Sequence, residues 1–351
     1  MNELQLQKAE QLLRQEFGEN WRTIAQVLGT DDLCKRVGKE LTSFIAFPER
    51  GIGGNNKWRG NCSPKVVEAV ARYVMDCKQY YRNNVSQFTL LDPMSGSGSS
   101  KAAADSLGTK SILYDLNPAP ASGKGGWNAL RDEVDDSADL IFLHPPYHDI
   151  IRYSGEMWGA PHPDDLSRCE SYHDFMDKLN FIVKKLFLAL RKDGRLAILV
   201  GDIRSRGNFY SMQRDLMGIG KLEATITKAQ FNCVSDNRTY KKPFIPIVTE
   251  TLLLFHKPDA LLFDFTVKKN GSFNVMLQDT QVLTWHHLIR MTMETLGGRA
   301  KCSDLYVLLA GHPKAQNNEH FKERIRATIY EHKSEYLSDG DGCWRLAYEV
   351  A

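Results

Sequence analysis

The chain has 351 residues, with 45 Lys+Arg against 43 Asp+Glu, a formal net charge of +2. Its 42% hydrophobic content supports a packed core and excludes disorder as the dominant state, and the length suits one large domain with a small appendage. The longest apolar runs, such as Leu196–Val200 and Leu252–Phe255, are far short of the roughly 18 residues of a membrane helix, and the near-neutral balance excludes indiscriminate adhesion to nucleic acid.

The first ten residues are polar and mixed in charge, unlike a signal peptide. The seven cysteines are scattered, with no Cys-x-x-Cys pair. That pattern predicts no zinc site and no disulfide framework, and it suits incidental thiols in a reducing cytoplasm.

In chain order, residues 3–28 have helical spacing of Leu4, Leu6, Ala9, Leu12 and Leu13, so residues 1–45 read as an N-terminal helical segment. Residues 47–64 are loop chemistry, dense in Gly, Asn and Pro. A helix is predicted over Pro64–Tyr81, with Val66, Val67, Val70 and Val74 on one side. From there strands and helices alternate. Strands are predicted at Phe88–Asp92, Ser111–Asp115, Asp139–Leu143, Arg195–Gly201, Leu222–Lys228 and Thr249–Phe255, and helices at Lys101–Leu107 and Tyr172–Leu190. Fully apolar strands alternating with helices predict a parallel sheet covered on both faces. After Leu277 come three helical stretches, at 284–296, 303–310 and 318–333, and then a hairpin around an Asp-Gly turn. Three helices and a hairpin describe a winged helix over 281–351, following an α/β domain over 46–260.

Three elements bear chemistry. Asp92–Ser100 lies where a strand gives way to a helix, and Gly96 and Gly98 permit a tight turn and close approach to a ligand. Taken alone this is only a turn, and without a terminal Gly-Lys-Ser/Thr it is no P-loop. Asp115 ends the next strand, where nucleoside-binding α/β folds place an acid for the ribose hydroxyls. Asp139–Leu143 runs into His144-Pro145-Pro146-Tyr147. The two prolines fix the backbone there, and the aromatic ring offers a stacking face at the carboxyl edge of the sheet, where open α/β sheets bind ligands.

In this order the three elements resemble the amino-group DNA methyltransferases that use S-adenosylmethionine. The resemblance covers roughly residues 45–257. It implies a Rossmann-like methyltransferase sheet with helices on both faces. It implies a cofactor site at Asp92, Met94, Ser95, Gly96, Gly98, Asp115 and Leu116, with Asn61 and Ser63 from Trp58–Pro64, which is similar to the stretch that closes over the methionine end. His144, Pro145, Pro146 and Tyr147 match the family's catalytic (Asp/Asn/Ser)-Pro-Pro-Tyr. His144 departs from that pattern, although a neutral imidazole still offers one acceptor. By the family's logic, His144 and the Pro145 carbonyl accept hydrogen bonds from the target amine, and Tyr147 stacks on a flipped base. The implied activity is methylation of an exocyclic amine in double-stranded DNA, N6 of adenine ahead of N4 of cytosine, with a cognate restriction or defence component as a further partner. C5-cytosine chemistry is disfavoured, since no Pro-Cys occurs. Two alternatives stay open: an RNA or protein amine methyltransferase, and a non-catalytic DNA-binding regulator with a degenerate core.

Charge is unevenly spread. Residues 203–244 hold eight Lys/Arg and three acids, with Tyr210, Phe231 and Tyr240 interleaved. Arg204, Arg206, Tyr210, Arg238, Tyr240 and Lys241 are the expected nucleic-acid contacts, since phosphate neutralisation beside aromatic rings is what such a surface needs. The C-terminal module is neutral, so contact with DNA and contact with protein stand even there.

Overall fold

A computed structural model of the chain describes residue 15 and residues 41–347, apart from 56, 81–83, 206, 232–242, 244, 259–261, 268–270 and 277–282. The helical segment expected over 3–28 therefore lies outside the described residues, save residue 15.

The central sheet begins with a two-residue strand, β1 (Phe44–Ile45). Helix α1 (Pro64–Cys77) starts where Ser63, in an extended conformation, accepts from the Lys65 amide, with Pro64 at a first-turn position where no backbone N–H is needed. Strand β2 (Thr89–Asp92), helix α2 (Ser99–Leu107), β3 (Lys110–Leu113) and β4 (Ala138–Leu143) follow. Helix α3 (Tyr172–Ala189) is capped by Ser171 and runs into β5 (Leu190–Val200). A hairpin of β6 (Ile203–Ser205) and β7 (Asn208–Tyr210), the short helix α4 (Met212–Asp215) and β8 (Gly218–Ile219) precede β9 (Lys221–Ala229) and β10 (Thr249–His256).

The sheet order is β1–β9–β10–β5–β4–β2–β3. Strands β3, β2, β4 and β5 are parallel, and β10 is antiparallel to both β5 and β9. This is the Rossmann-like α/β sheet with helices on both faces that the sequence predicts, except that it is mixed rather than wholly parallel, because β10 returns antiparallel beside β5 and β9. Its cause is visible in the strands. Leu90, Leu140, Phe142, Ala197, Leu199, Leu252 and Leu254 pack with α1 and α2. The alternate residues Leu91, Ile141, Leu143, Leu196, Ile198, Leu253 and Phe255 pack with α3 and the C-terminal helices. Successive side chains point to opposite faces, and both faces of the central strands are covered, so their middle positions are apolar in sequence rather than alternating.

Beyond β10, β11 (Leu262–Val267) and β12 (Gly271–Met276) form a small sheet with β8. Then come α5 (Trp285–Thr295), β13 (Arg299–Lys301), α6 (Cys302–Leu309), α7 (Pro313–Gln316), α8 (Phe321–Glu331), β14 (Tyr336–Gly340) and β15 (Cys343–Leu346). The three predicted helices and hairpin are present. Strand β13 adds a third strand, paired with β15, and three residues were too few to read from periodicity.

The C-terminal elements are joined to the central sheet layer by a buried polar seam. Arg290 and Glu294 of α5 form a 2.9 Å pair in which both side chains are fully buried. Arg290 also donates to the Leu188 carbonyl at 3.0 Å, and Glu294 accepts from the Lys192 amide at 3.1 Å. Lys257, just after β10, donates to the Leu190 carbonyl at 2.7 Å and reaches Met291 Sδ of α5 at 3.9 Å, and Ser137 donates to Glu335.

Candidate active site

Strand β2 ends at Asp92, which is buried and accepts from the Met94 amide at 2.9 Å and from the Ser100 hydroxyl. One carboxylate thus ties both ends of the glycine turn together. Gly96 (φ 42°) and Gly98 (φ 81°) adopt left-handed conformations that favour glycine, and Gly98 is the cap residue of α2. Asp115, just past β3, holds the same turn from the neighbouring strand. Its two oxygens accept from the Gly96 amide at 2.7 Å and the Asn117 amide at 2.8 Å. Burial pushes the Asp92 carboxyl up to about 7, despite the opposing hydrogen bonds. Burial also raises Asp115, against the two backbone amides.

The segment 50–62 closes the other side. Arg50 donates to Asn61 Oδ1 at 2.7 Å and to Ser99 Oγ at 3.0 Å, and Ser99 donates to the Cys62 carbonyl at 2.6 Å. Trp58 lies against the turn, so that a Cβ on Gly96 would stand 3.4 Å from its Nε1. Its ring stacks on Tyr153 at 6.4 Å.

Between these walls is a cavity of about 110 Å³ that opens to solvent. Of the predicted residues, Asn61, Asp92, Met94, Ser95, Gly96, Asp115, Leu116, His144 and Pro146 line it. Ser63, Gly98, Pro145 and Tyr147 are not among its lining residues. Ser63 caps α1 and donates to the Arg50 carbonyl at 2.6 Å, so it supports the loop. Trp127, Tyr153, Trp158, Asp164 and Asp165 also line the cavity, and sequence reasoning missed them. Asp165 accepts from the amides and hydroxyls of Ser154 and Ser167 at 2.6–2.9 Å, fixing that wall. Isolated Trp and Ser/Asp positions carry no periodicity, so no local signal marked them. Cys62 also lines the cavity, but burial pushes its thiol up to about 12, which leaves it protonated and poorly nucleophilic.

The His144–Tyr147 turn leaves β4 at the carboxyl edge. Tyr147 crosses the end of β5 over Gly201, where an added Cβ would meet its Cε2 at 2.8 Å. Its hydroxyl donates to Glu250 Oε1 of β10 at 2.7 Å and lies 3.0 Å from His144 Nε2. Glu250 pairs through its other oxygen with Lys228, directly opposite on β9, at 2.5 Å. The Lys228 ammonium and the Tyr147 hydroxyl hold Glu250 below the usual carboxylate range against its burial. Burial lowers His144 below an ordinary histidine, so the ring is neutral.

Arg204 and Tyr210 stand on the β6–β7 hairpin that follows β5. Arg204 is exposed, with its guanidinium 5.0 Å from the ring centre of the exposed Phe209. Tyr210 packs on Tyr172 at 4.3 Å. Arg206, Arg238, Tyr240 and Lys241 lie outside the described residues. The local charge count is corrected at one position: Lys228 is used internally by Glu250 and presents no charge to a ligand backbone. Among the described residues no cluster of His, Cys, Asp and Glu could hold a metal ion, and no helix is long and apolar enough to cross a membrane.

No family model and no curated protein matches the chain. Solved structures do. A Thermus thermophilus protein named provisionally as a DNA modification methylase is 20% identical over 36% of this chain and 46% of its own, with a TM-score of 0.24. TrmN from Thermus thermophilus is 14% identical over 54% of this chain and 48% of its own, with a TM-score of 0.29. The Burkholderia thailandensis 1,6-didemethyltoxoflavin-N1-methyltransferase, solved with S-adenosylhomocysteine, is 12% identical over 55% and 79%, with a TM-score of 0.28. The chain thus spans about half the length of the first two. These likenesses concern fold alone.

Proposed function

We propose that the chain is an S-adenosylmethionine-dependent methyltransferase acting on an exocyclic amine of a base in double-stranded DNA, N6 of adenine ahead of N4 of cytosine. The observation that carries this reading is one cavity, at the carboxyl edge of the sheet's parallel strands, lined by the glycine turn, by Asp92 and Asp115, and by His144. The residues fit the cofactor. Backbone around Gly96 leaves room for close approach, aromatic rings of Trp58, Trp127 and Trp158 line the walls, and two carboxylates suit a cation bearing ribose hydroxyls. When bound, the cofactor supplies an electrophilic methyl group.

The chain's own contribution is positioning and electrostatics. An aniline-like amine has its lone pair delocalised into the base. Hydrogen bonds from the amine to His144 and to the Pro145 carbonyl favour a tetrahedral nitrogen with its lone pair available. An enzyme cannot reach the amine of a base stacked inside a duplex, so the substrate base must be extruded. Arg204 and Phe209 on the β6–β7 hairpin are the described candidates for holding the strand beside it. Residues 283–347 resemble a winged helix, which supplies a second surface for DNA or for a cognate defence component.

The test is transfer of tritium from labelled S-adenosylmethionine to duplex DNA, followed by identification of the modified base. Label in adenine or cytosine of DNA supports the proposal. Label only in RNA or protein replaces the substrate. Calorimetry without any cofactor binding points instead to a non-catalytic regulator and sinks the enzymatic reading.

A further inference from the structure

We propose that Glu250, acting through the Tyr147 hydroxyl, is a positioning residue that holds His144 in its Nε2–H tautomer and keeps Nδ1 as the lone-pair atom offered to the substrate amine. The inference rests on the reading of the cavity as an amine methylation site. It comes from counting hydrogens. Glu250 is ionised and has none to give, so the Tyr147 hydroxyl must point its single hydrogen at Oε1, 2.7 Å away. Lys228 occupies the other carboxylate oxygen at 2.5 Å. The Tyr147 oxygen is then an acceptor toward His144 Nε2 at 3.0 Å, and that nitrogen must carry the ring hydrogen. A neutral imidazole has one N–H, so Nδ1 is bare. It has no partner among the described residues, and His144 lines the cavity.

The lone pair has a use in the reaction. As the bond from the amine nitrogen to the methyl carbon forms, the carbon–sulfur bond breaks and its electron pair stays on sulfur. The nitrogen is left cationic with a surplus proton, and Nδ1 takes it. The resulting imidazolium keeps its Nε2–H on Tyr147, with the Glu250 carboxylate 3.9 Å from the ring nitrogen. An Asp, Asn or Ser at this position would need no tautomer control, whereas a histidine does, since the wrong tautomer presents a donor to a donor.

The decisive measurement is long-range proton–nitrogen correlation on the full chain with nitrogen-15 imidazoles. His144→Gln identifies the His144 signals among the ten histidines. The expected wild-type signature is a protonated Nε2 and a bare Nδ1. Tyr147→Phe keeps the ring over Gly201 and removes one oxygen, and should release the ring to mixed tautomers. It should also lower kcat on the order of 10–100-fold with cofactor affinity unchanged. Glu250→Gln should weaken the same preference. A wild-type His144 protonated on Nδ1 overturns the inference outright, whether or not the variants fold, and so does a tautomer unmoved in Tyr147→Phe. The readout requires no turnover. Protein with the expected tautomer but no methyl transfer would defeat the proposed function and leave the tautomer lock standing.

Discussion

Asp92 shows how a single buried carboxyl sets both stability and ligand response. Its ordinary value of 3.8 is raised to about 7 by burial. The folded state therefore holds this proton more tightly than the unfolded chain. Its contribution favours folding at low pH and is lost as pH rises from about 4 through about 7. The loss should amount to roughly 4 kcal/mol at most, at about 1.4 kcal/mol per unit. Comparing urea unfolding of wild type and Asp92→Asn across this range should show the decline attributable to Asp92 only in wild type. A parallel pair of curves would show that the carboxyl is ionised throughout. A cationic ligand in the cavity should also expel the proton, so cofactor binding near pH 6 should release protons, detectable by calorimetry in buffers of different ionisation enthalpy. Gly96→Val has a different cause. Its φ of 42° is strained for a β-branched residue, and its Cβ would point at Trp58, so cofactor binding should fall below detection while the fold persists by circular dichroism.

Among the elements, the end of β5 is decisive because three strands meet over it. Tyr147 reaches from the turn after β4 to Glu250 on β10, and it can do so only because Gly201 carries no side chain. Gly201→Ala would place a methyl 2.8 Å from the Tyr147 ring. The ring must move, and turnover should drop on the order of 10–100-fold with cofactor affinity intact. Equal kcat in wild type and Gly201→Ala would show that the tyrosine's place is immaterial. On the neighbouring hairpin, the double variant Arg204→Ala with Phe209→Ala should weaken DNA binding and reduce its salt dependence by about one unit of slope, without changing cofactor affinity. The strands and helices of this layer were legible because their signals are local: apolar runs of strand length, Pro64 and Ser63 at a helix start, glycines at a turn. The cavity wall at Tyr153–Asp165 was not legible. Its rigidity comes from hydrogen bonds among single Ser and Asp residues, such as Ser154 and Asp165, which leave no period in the sequence.

Across the whole molecule, the C-terminal elements are fastened to the central sheet layer by buried ions. Arg290→Ala would leave Glu294 without that 2.9 Å partner in a fully buried setting. Removing one member of such a pair costs about 3–5 kcal/mol, so the melting temperature should fall steeply in a single transition. A loss confined to a separate, earlier transition of the C-terminal elements would show that the seam does not couple the two parts.

Local chemistry in the sequence was enough to determine the alternation of strands and helices, the glycine turn, the strand-end acid and the His-Pro-Pro-Tyr corner. Each depends on residues within a few positions of one another, where propensity and backbone sterics act. Tertiary structure alone decided which charges face a ligand and which face each other. Lys228, counted as part of a basic surface, lies opposite Glu250 because strand register pairs them. Glu250 meets Tyr147 across 103 positions because β10 returns beside β5 at the cavity edge. Register and return are set by burying whole sheet faces at once, and that information is spread over the entire core.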